Sequence, residues 1–210
     1  TISGRGIFTN RARVVAGSEG TTVIWSRSNQ AHYIVQAATR PVGAATFGTP
    51  VDLSLPGGDA VHPQITSSSD GVTTAIWRRD SGSGQVVETS TRPVGGGFGT
   101  PEPLSPSVGD AVTPQIVTDP AGTTTAVWSY KAPGQNWAIR TVFRPAGSLV
   151  WAFPQELSRN ATDPQIAAGP DGLTVIVWKN GSGLIQATVR FPGESRFPGT
   201  SFDLSNHGDL

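Results

Sequence analysis

The run Pro63-Gln64-Ile65-Thr66-Ser67-Ser68-Ser69-Asp70-Gly71-Val72-Thr73-Thr74-Ala75-Ile76-Trp77 decides the fold. Asp-Gly between two apolar segments is a strong hairpin signal, because both residues accept the positive φ of a tight turn. Beyond the turn, Thr73, Ala75 and Trp77 share one side while Thr74 and Ile76 share the other, the alternation of a strand with two buried faces. The text then repeats about every 50 residues. Pro114-Gln115-Ile116 and Pro164-Gln165-Ile166 echo the opening triplet, with Ala12-Arg13-Val14 in the first copy, and the tryptophans return as Trp25, Trp128 and Trp178. Turns stand between each pair at Ser18-Glu19-Gly20, Asp119-Pro120-Ala121-Gly122 and Asp171-Gly172.

Each copy continues with a third segment ending in arginine (35–40, 86–92, 139–144 and 185–190), a Pro/Gly stretch, and a fourth segment at Asp52-Leu53-Ser54, Pro103-Leu104-Ser105, Glu156-Leu157-Ser158 and Asp203-Leu204-Ser205. Four short strands, A to D, in roughly 40–50 residues make one propeller blade. The sequence therefore predicts an all-β, four-bladed β-propeller with four antiparallel strands per blade. The blades fall near 11–54, 63–105, 114–158 and 164–205, with 1–10 and 206–210 as closure segments. Both termini claim strand D. Either 202–205 completes the last blade and 1–10 latch the seam, or the first residues take that edge. A ring of more blades shared between chains is a further alternative.

The motif set "PQI, D-x-x-G, T-x-x-x-W, V-Q-A-x-x-R-P, V-x-L-S" resembles secreted bacterial repeat proteins, especially those of high-GC Gram-positive organisms. The resemblance covers nearly the whole chain and implies a propeller, not an activity. The Asp-box of sialidase-type propellers also joins Asp and Gly to a downstream aromatic, but places it closer than the six positions from Gly71 to Trp77. No sialidase chemistry carries over.

Composition narrows the function classes. Lys+Arg and Asp+Glu are both 15 among 210 residues, and this neutral balance gives no long-range field for phosphate backbones or anionic lipid. Nucleic-acid and membrane partners are not expected. No cysteine exists to form a disulfide, a thiolate metal site or a thiol nucleophile. A start at Thr1 with no methionine in the chain favours a processed, exported protein, so secretion is the expected localisation. No phosphate loop, nucleophile elbow or His/Glu metal motif occurs, and no cofactor is expected.

With strands running alternately up and down, the D–A and B–C loops share one face, and there the copies differ. The residue before the strand-A proline reads Arg11, His62, Thr113 and Asp163, followed two residues later by Arg13, Gln64, Gln115 and Gln165. In a propeller the A strands line the channel, so these side chains belong at its mouth. A titratable imidazole, a carboxylate able to orient it and guanidinium groups for an oxyanion are the parts of acid–base catalysis. Asp59 and Asp110, with Asn160 and Asp209, are weak candidates for holding a hard cation, though such residues also cap turns. The B–C loops add Tyr33, Arg78, Asp80, Tyr130 and Trp137, aromatic faces beside planar hydrogen-bonding groups, as sugar binding requires.

Two functions follow. The favoured expectation is a non-catalytic, lectin-like module that binds a glycan or small polar ligand through Tyr33, Arg78, Asp80, Tyr130, Trp137 and the three glutamines. The alternative is a small hydrolase or lyase with His62 as base or acid, Asp163 as its orienter and Arg11 or Arg13 holding a substrate anion.

Overall fold

The computed structural model describes residues 9–205, so most of both closure segments, with His207 and Asp209, lies outside the described residues. The described chain is all-β: sixteen strands and no helix, hence no helix long and apolar enough to cross a membrane. The strands form four successive antiparallel meanders. The first holds β1 (Thr9–Gly17), β2 (Gly20–Ser28), β3 (Tyr33–Arg40) and β4 (Val51–Asp52). The second holds β5 (Ala60–Ser67), β6 (Thr73–Asp80), β7 (Gly84–Arg92) and β8 (Glu102–Pro103). β9 (Gly109–Thr118), β10 (Thr124–Lys131), β11 (Ala138–Arg144) and β12 (Gln155–Arg159) form the third. β13 (Ala161–Ala168), β14 (Thr174–Asn180), β15 (Ile185–Arg190) and β16 (Phe202–Asp203) form the fourth.

One short parallel ladder, Gly84 with Gly109 and Gln85 with Asp110, fuses the second and third meanders into an eight-stranded sheet. It exists because Gly84 has no side chain: at φ +153 a Cβ there would lie 2.0 Å from the Gly109 carbonyl oxygen.

The meanders stack through their alternating apolar faces. Trp77 packs with Ile24, Val35 and Leu53 of the preceding unit, Trp128 with Ile76, Val87 and Leu104, and Trp178 with Val127 and Ile139. Burying aromatic rings of this size between sheets supplies the main cohesion of the molecule. Phe98, Trp151 and Phe197, from the Pro/Gly stretches, close the same three clusters.

In the third and fourth units the arginine that ends the third strand is an inter-unit clamp. Arg144 donates to Thr74 at 2.8 Å and Thr91 at 2.7 Å in the second unit. Arg190 reaches Thr125 at 3.3 Å in the third. Burial lowers the Arg144 pKa, offset in part by the fields of Glu102 and Asp70.

β1 packs on β5, β5 on β9 and β9 on β13, but β13 does not pack on β1 in the same way. Among the described residues the sheets do not close into the ring that a four-bladed reading requires.

Candidate functional site

Each inner strand breaks its register opposite its tryptophan. Arg11-Ala12 face Trp25, His62-Pro63 face Trp77, Thr113-Pro114 face Trp128 and Asp163-Pro164 face Trp178, two residues against one, as in a β-bulge. Three of the four bulges carry proline, which has no N–H to give the ladder and is confined to such interruptions. The first bulge residue is left-handed every time: φ is 54° at Arg11, 57° at His62, 52° at Thr113 and 56° at Asp163. For a residue other than glycine this conformation costs about 1–2 kcal/mol, and such outliers concentrate at functional sites. Sequence reasoning placed these four residues at one level of the molecule but missed the bulges; proline inside a strand was the available signal.

The bulge row is electrostatically uneven. His62 is half-buried, and burial first, then the positive fields of Arg11 and Arg78, hold its pKa below the ordinary 6.5. The imidazole is therefore neutral at neutral pH, available as a base. Arg78 is itself lowered by burial and by Arg11, against the opposing fields of Asp80, Asp110 and Asp59. Its Nε is buried without a hydrogen-bond partner among the described residues. Arg13 Nε donates to Gln64 Oε1 at 3.2 Å, which ties the first two inner strands, while Arg11 is exposed. The first two meanders thus bring Arg11, Arg13, His62, Gln64 and Arg78 together.

The other candidates separate. Asp163 accepts from Thr162 Oγ1 at 2.9 Å and lies outside the 4.0 Å ion-pair range of His62, so it does not orient that imidazole. Gln115 is half-buried and Gln165 exposed at the corresponding places of β9 and β13. Asp80 caps its own turn by accepting from Gly82 N at 2.8 Å. Asp59 accepts from Tyr33 N at 2.8 Å and has His32 Nδ1 at 3.8 Å. Among the described residues no group of three His, Asp or Glu is placed to hold a metal ion, and Asp209, the last member of the ring suggested with Asp59, Asp110 and Asn160, lies outside them. Tyr130 is the clearest correction. It is buried in the core beneath Arg140, whose guanidinium lies 4.2 Å from its ring centroid, and its hydroxyl donates to Val108 O at 2.8 Å. Its alternation with Trp128 on a strand buried on both faces explains this: the ring is covered by Arg140 rather than exposed on a loop, and it borders a cleft with Arg140 and Glu156. Trp137 is half-buried, with Lys131 Nζ 5.9 Å from its ring centroid.

A second concavity takes in two of the sequence candidates, Tyr130 and Asn160, which the sequence did not bring together. A cleft of about 370 Å³ beside β11 and β12 is lined by residues that include Gln135, Asn136, Glu156 and Asn160. Arg159 Nε donates to Glu156 Oε1 at 2.8 Å and Arg140 to Oε2 at 3.4 Å, so two guanidinium groups fix the orientation of this side chain.

No family model matches the chain, and no curated protein matches it in sequence. Solved structures do match in fold. An intramolecular trans-sialidase from Ruminococcus gnavus, in complex with oseltamivir carboxylate, superposes with a TM-score of 0.62 at 10% identity, over 98% of this chain and 73% of its own. The α-L-arabinofuranosidase of Podospora anserina, in complex with cellotriose, gives 0.52 at 13%, over 94% and 69%. A polysaccharide lyase, Uly1, gives 0.59 at 8%, over 92% and 60%. Identities this low speak for the fold alone. The favoured expectation of a non-catalytic lectin is nevertheless corrected by them: the proteins that share the fold are carbohydrate-active enzymes, which backs the hydrolase or lyase alternative instead. The chain shares its all-β, propeller-type architecture with glycoside-cleaving and glycan-eliminating enzymes.

Proposed function

We propose that the four meanders are propeller blades, each of four antiparallel strands, and that the chain is a glycan-cleaving enzyme of the hydrolase or lyase kind. The observation that carries this reading is the bulge row: a neutral, half-buried His62 held in a left-handed conformation under the fields of Arg11 and Arg78. In this assignment His62 is the base, Arg11 and Arg13 bind the substrate's anionic group, and Asp163 stands at the same register as a second titratable group.

Cationic side chains around a neutral imidazole suit an acidic sugar. Pairing the sugar carboxylate with arginine makes the adjacent C–H more acidic, the imidazole takes that proton, the glycosidic C–O bond breaks as a double bond forms, and the departing oxygen leaves as a hydroxyl with a proton from solvent. The geometry favours this elimination over hydrolysis, which works through a carboxyl pair. Polymers of this kind are extracellular, which suits an exported protein.

The test is incubation of the protein with acidic and neutral polysaccharides, reading both new reducing ends and the ultraviolet absorbance of an unsaturated sugar. Both signals on an acidic polymer, absent in His62→Ala, are expected. Reducing ends without absorbance would assign hydrolysis. No product from any polymer, or full activity in His62→Ala, would remove the assignment.

A further inference from the structure

In every unit the tryptophan of the second strand faces one residue of the third strand across the ladder: Trp25 faces Gln36, Trp77 faces Glu88, Trp128 faces Arg140 and Trp178 faces Gln186. An indole N–H can only donate, so this place calls for an acceptor. Two of the pairs bond accordingly, Trp77 Nε1 donating to Glu88 Oε2 and Trp178 Nε1 to Gln186 Oε1, each at 3.1 Å. In the first and fourth units the glutamine then passes the chain on to a carboxylate of the fourth strand. Gln36 Nε2 donates to Asp52 Oδ1 at 2.6 Å, and Gln186 Nε2 to Asp203 Oδ1 at 2.9 Å.

The third unit breaks this pattern. Arginine carries no acceptor, so at Trp128 and Arg140 two donors face each other. Trp128 is fully buried, and its Nε1 and Arg140 Nε are both buried without a hydrogen-bond partner among the described residues. Trp25 Nε1 is also unpartnered, but Gln36 still brings an acceptor to the same place. The facing donors of the third unit stand at the wall of the 370 Å³ cleft: Arg140 lines it, and so do Tyr130 and Ala132, which pack with Trp128.

We propose that this cleft binds an acidic sugar, whose carboxylate accepts from Trp128 Nε1 and Arg140 Nε. An anion suits the place better than a neutral hydroxyl, because both facing groups donate and one is charged. Glu156 occupies Nη2 of Arg140, but Arg159 adds a second guanidinium, so the cleft keeps a surplus positive charge. The side-chain amides of Gln135 and Asn136, which both donate and accept, take the sugar hydroxyls. The cleft shares no residue with the row of Arg11, Arg13, His62, Gln64 and Arg78, and the inference does not depend on the chemistry assigned to His62.

Titration of the isotope-labelled chain with glucuronate, acetate and glucose tests it, read by magnetic resonance at the indole N–H signals, that of Trp128 being assigned through Trp128→Phe. Glucuronate should shift the Trp128 signal saturably, acetate should do so at least about 10-fold more weakly, and glucose should leave it in place. Arg140→Gln gives Trp128 the acceptor that Trp178 already has. In that variant the Trp128 signal should move downfield without ligand, and affinity for glucuronate should fall at least about 10-fold. Should Arg140→Gln perturb folding, Asn136→Ala on the exposed loop takes its place, with a several-fold loss expected. An unmoved Trp128 signal in glucuronate, an equal response to glucose, acetate binding as tightly as glucuronate, or full affinity in the variant would overturn the proposal.

Discussion

Arg190 Nη2 stands 3.4 Å from Asp119 Oδ2, across the boundary between the third and fourth units, with both side chains buried. Asp119 also accepts from Thr123 N at 2.9 Å, so one carboxylate closes its own hairpin and anchors the next unit's clamp. Asp119→Ala leaves a buried guanidinium without its counter-charge, which costs about 3–5 kcal/mol. Urea denaturation measures this, and a loss below about 1 kcal/mol would contradict the clamp.

Gly84→Ala should damage the seam between the second and third units. The added Cβ meets the Gly109 carbonyl oxygen at 2.0 Å, backbone against backbone, so the parallel ladder must open. The expected loss is about 2–3 kcal/mol. Hydrogen exchange localises it: protection at Gln85 and Asp110 should fall, while the first unit stays unchanged.

His62 gives a pH signature. Its folded pKa lies below 6.5, so base-dependent turnover rises on an acid limb centred below that value. Arg78→Ala removes one of the fields responsible and should shift the limb upward, toward 6.5. Stability follows the same sign. As pH falls through 6.5 the unfolded chain binds a proton that the folded chain refuses, so stability declines until the folded pKa is passed. His62→Gln should flatten that decline, and an identical slope in the variant would exclude His62 as its source.

The strain at the bulge offers a separate comparison. Both His62→Ala and His62→Gly lose the imidazole, and turnover should fall about 10²–10⁴-fold in each. Only glycine relaxes at φ 57°, so the glycine variant should be about 1 kcal/mol more stable than the alanine variant. Equal thermal midpoints would show that the left-handed backbone stores no strain.

The repeat made most of the fold legible. Trp77, the Asp70-Gly71 turn and the strand ending at Arg92 stand where the alternation and spacing place them, because turn chemistry and period-two burial are local properties. Ring closure was not legible, since it depends on the rotation between units, which no single strand encodes. Of the site, the row of Arg11, His62, Thr113 and Asp163 was legible as a register. The distance from His62 to Asp163 was not, and Tyr130 was misread because loop and strand share its sequence signature. The cleft around Glu156 was missed because Arg140 and Arg159 reach it from different strands.

Units whose apolar clusters are each shared between successive neighbours fold as a one-dimensional array. Its cooperativity is that of three interfaces in series rather than of one shared core. Unfolding of such an array advances from unit to unit along the chain instead of in a single step.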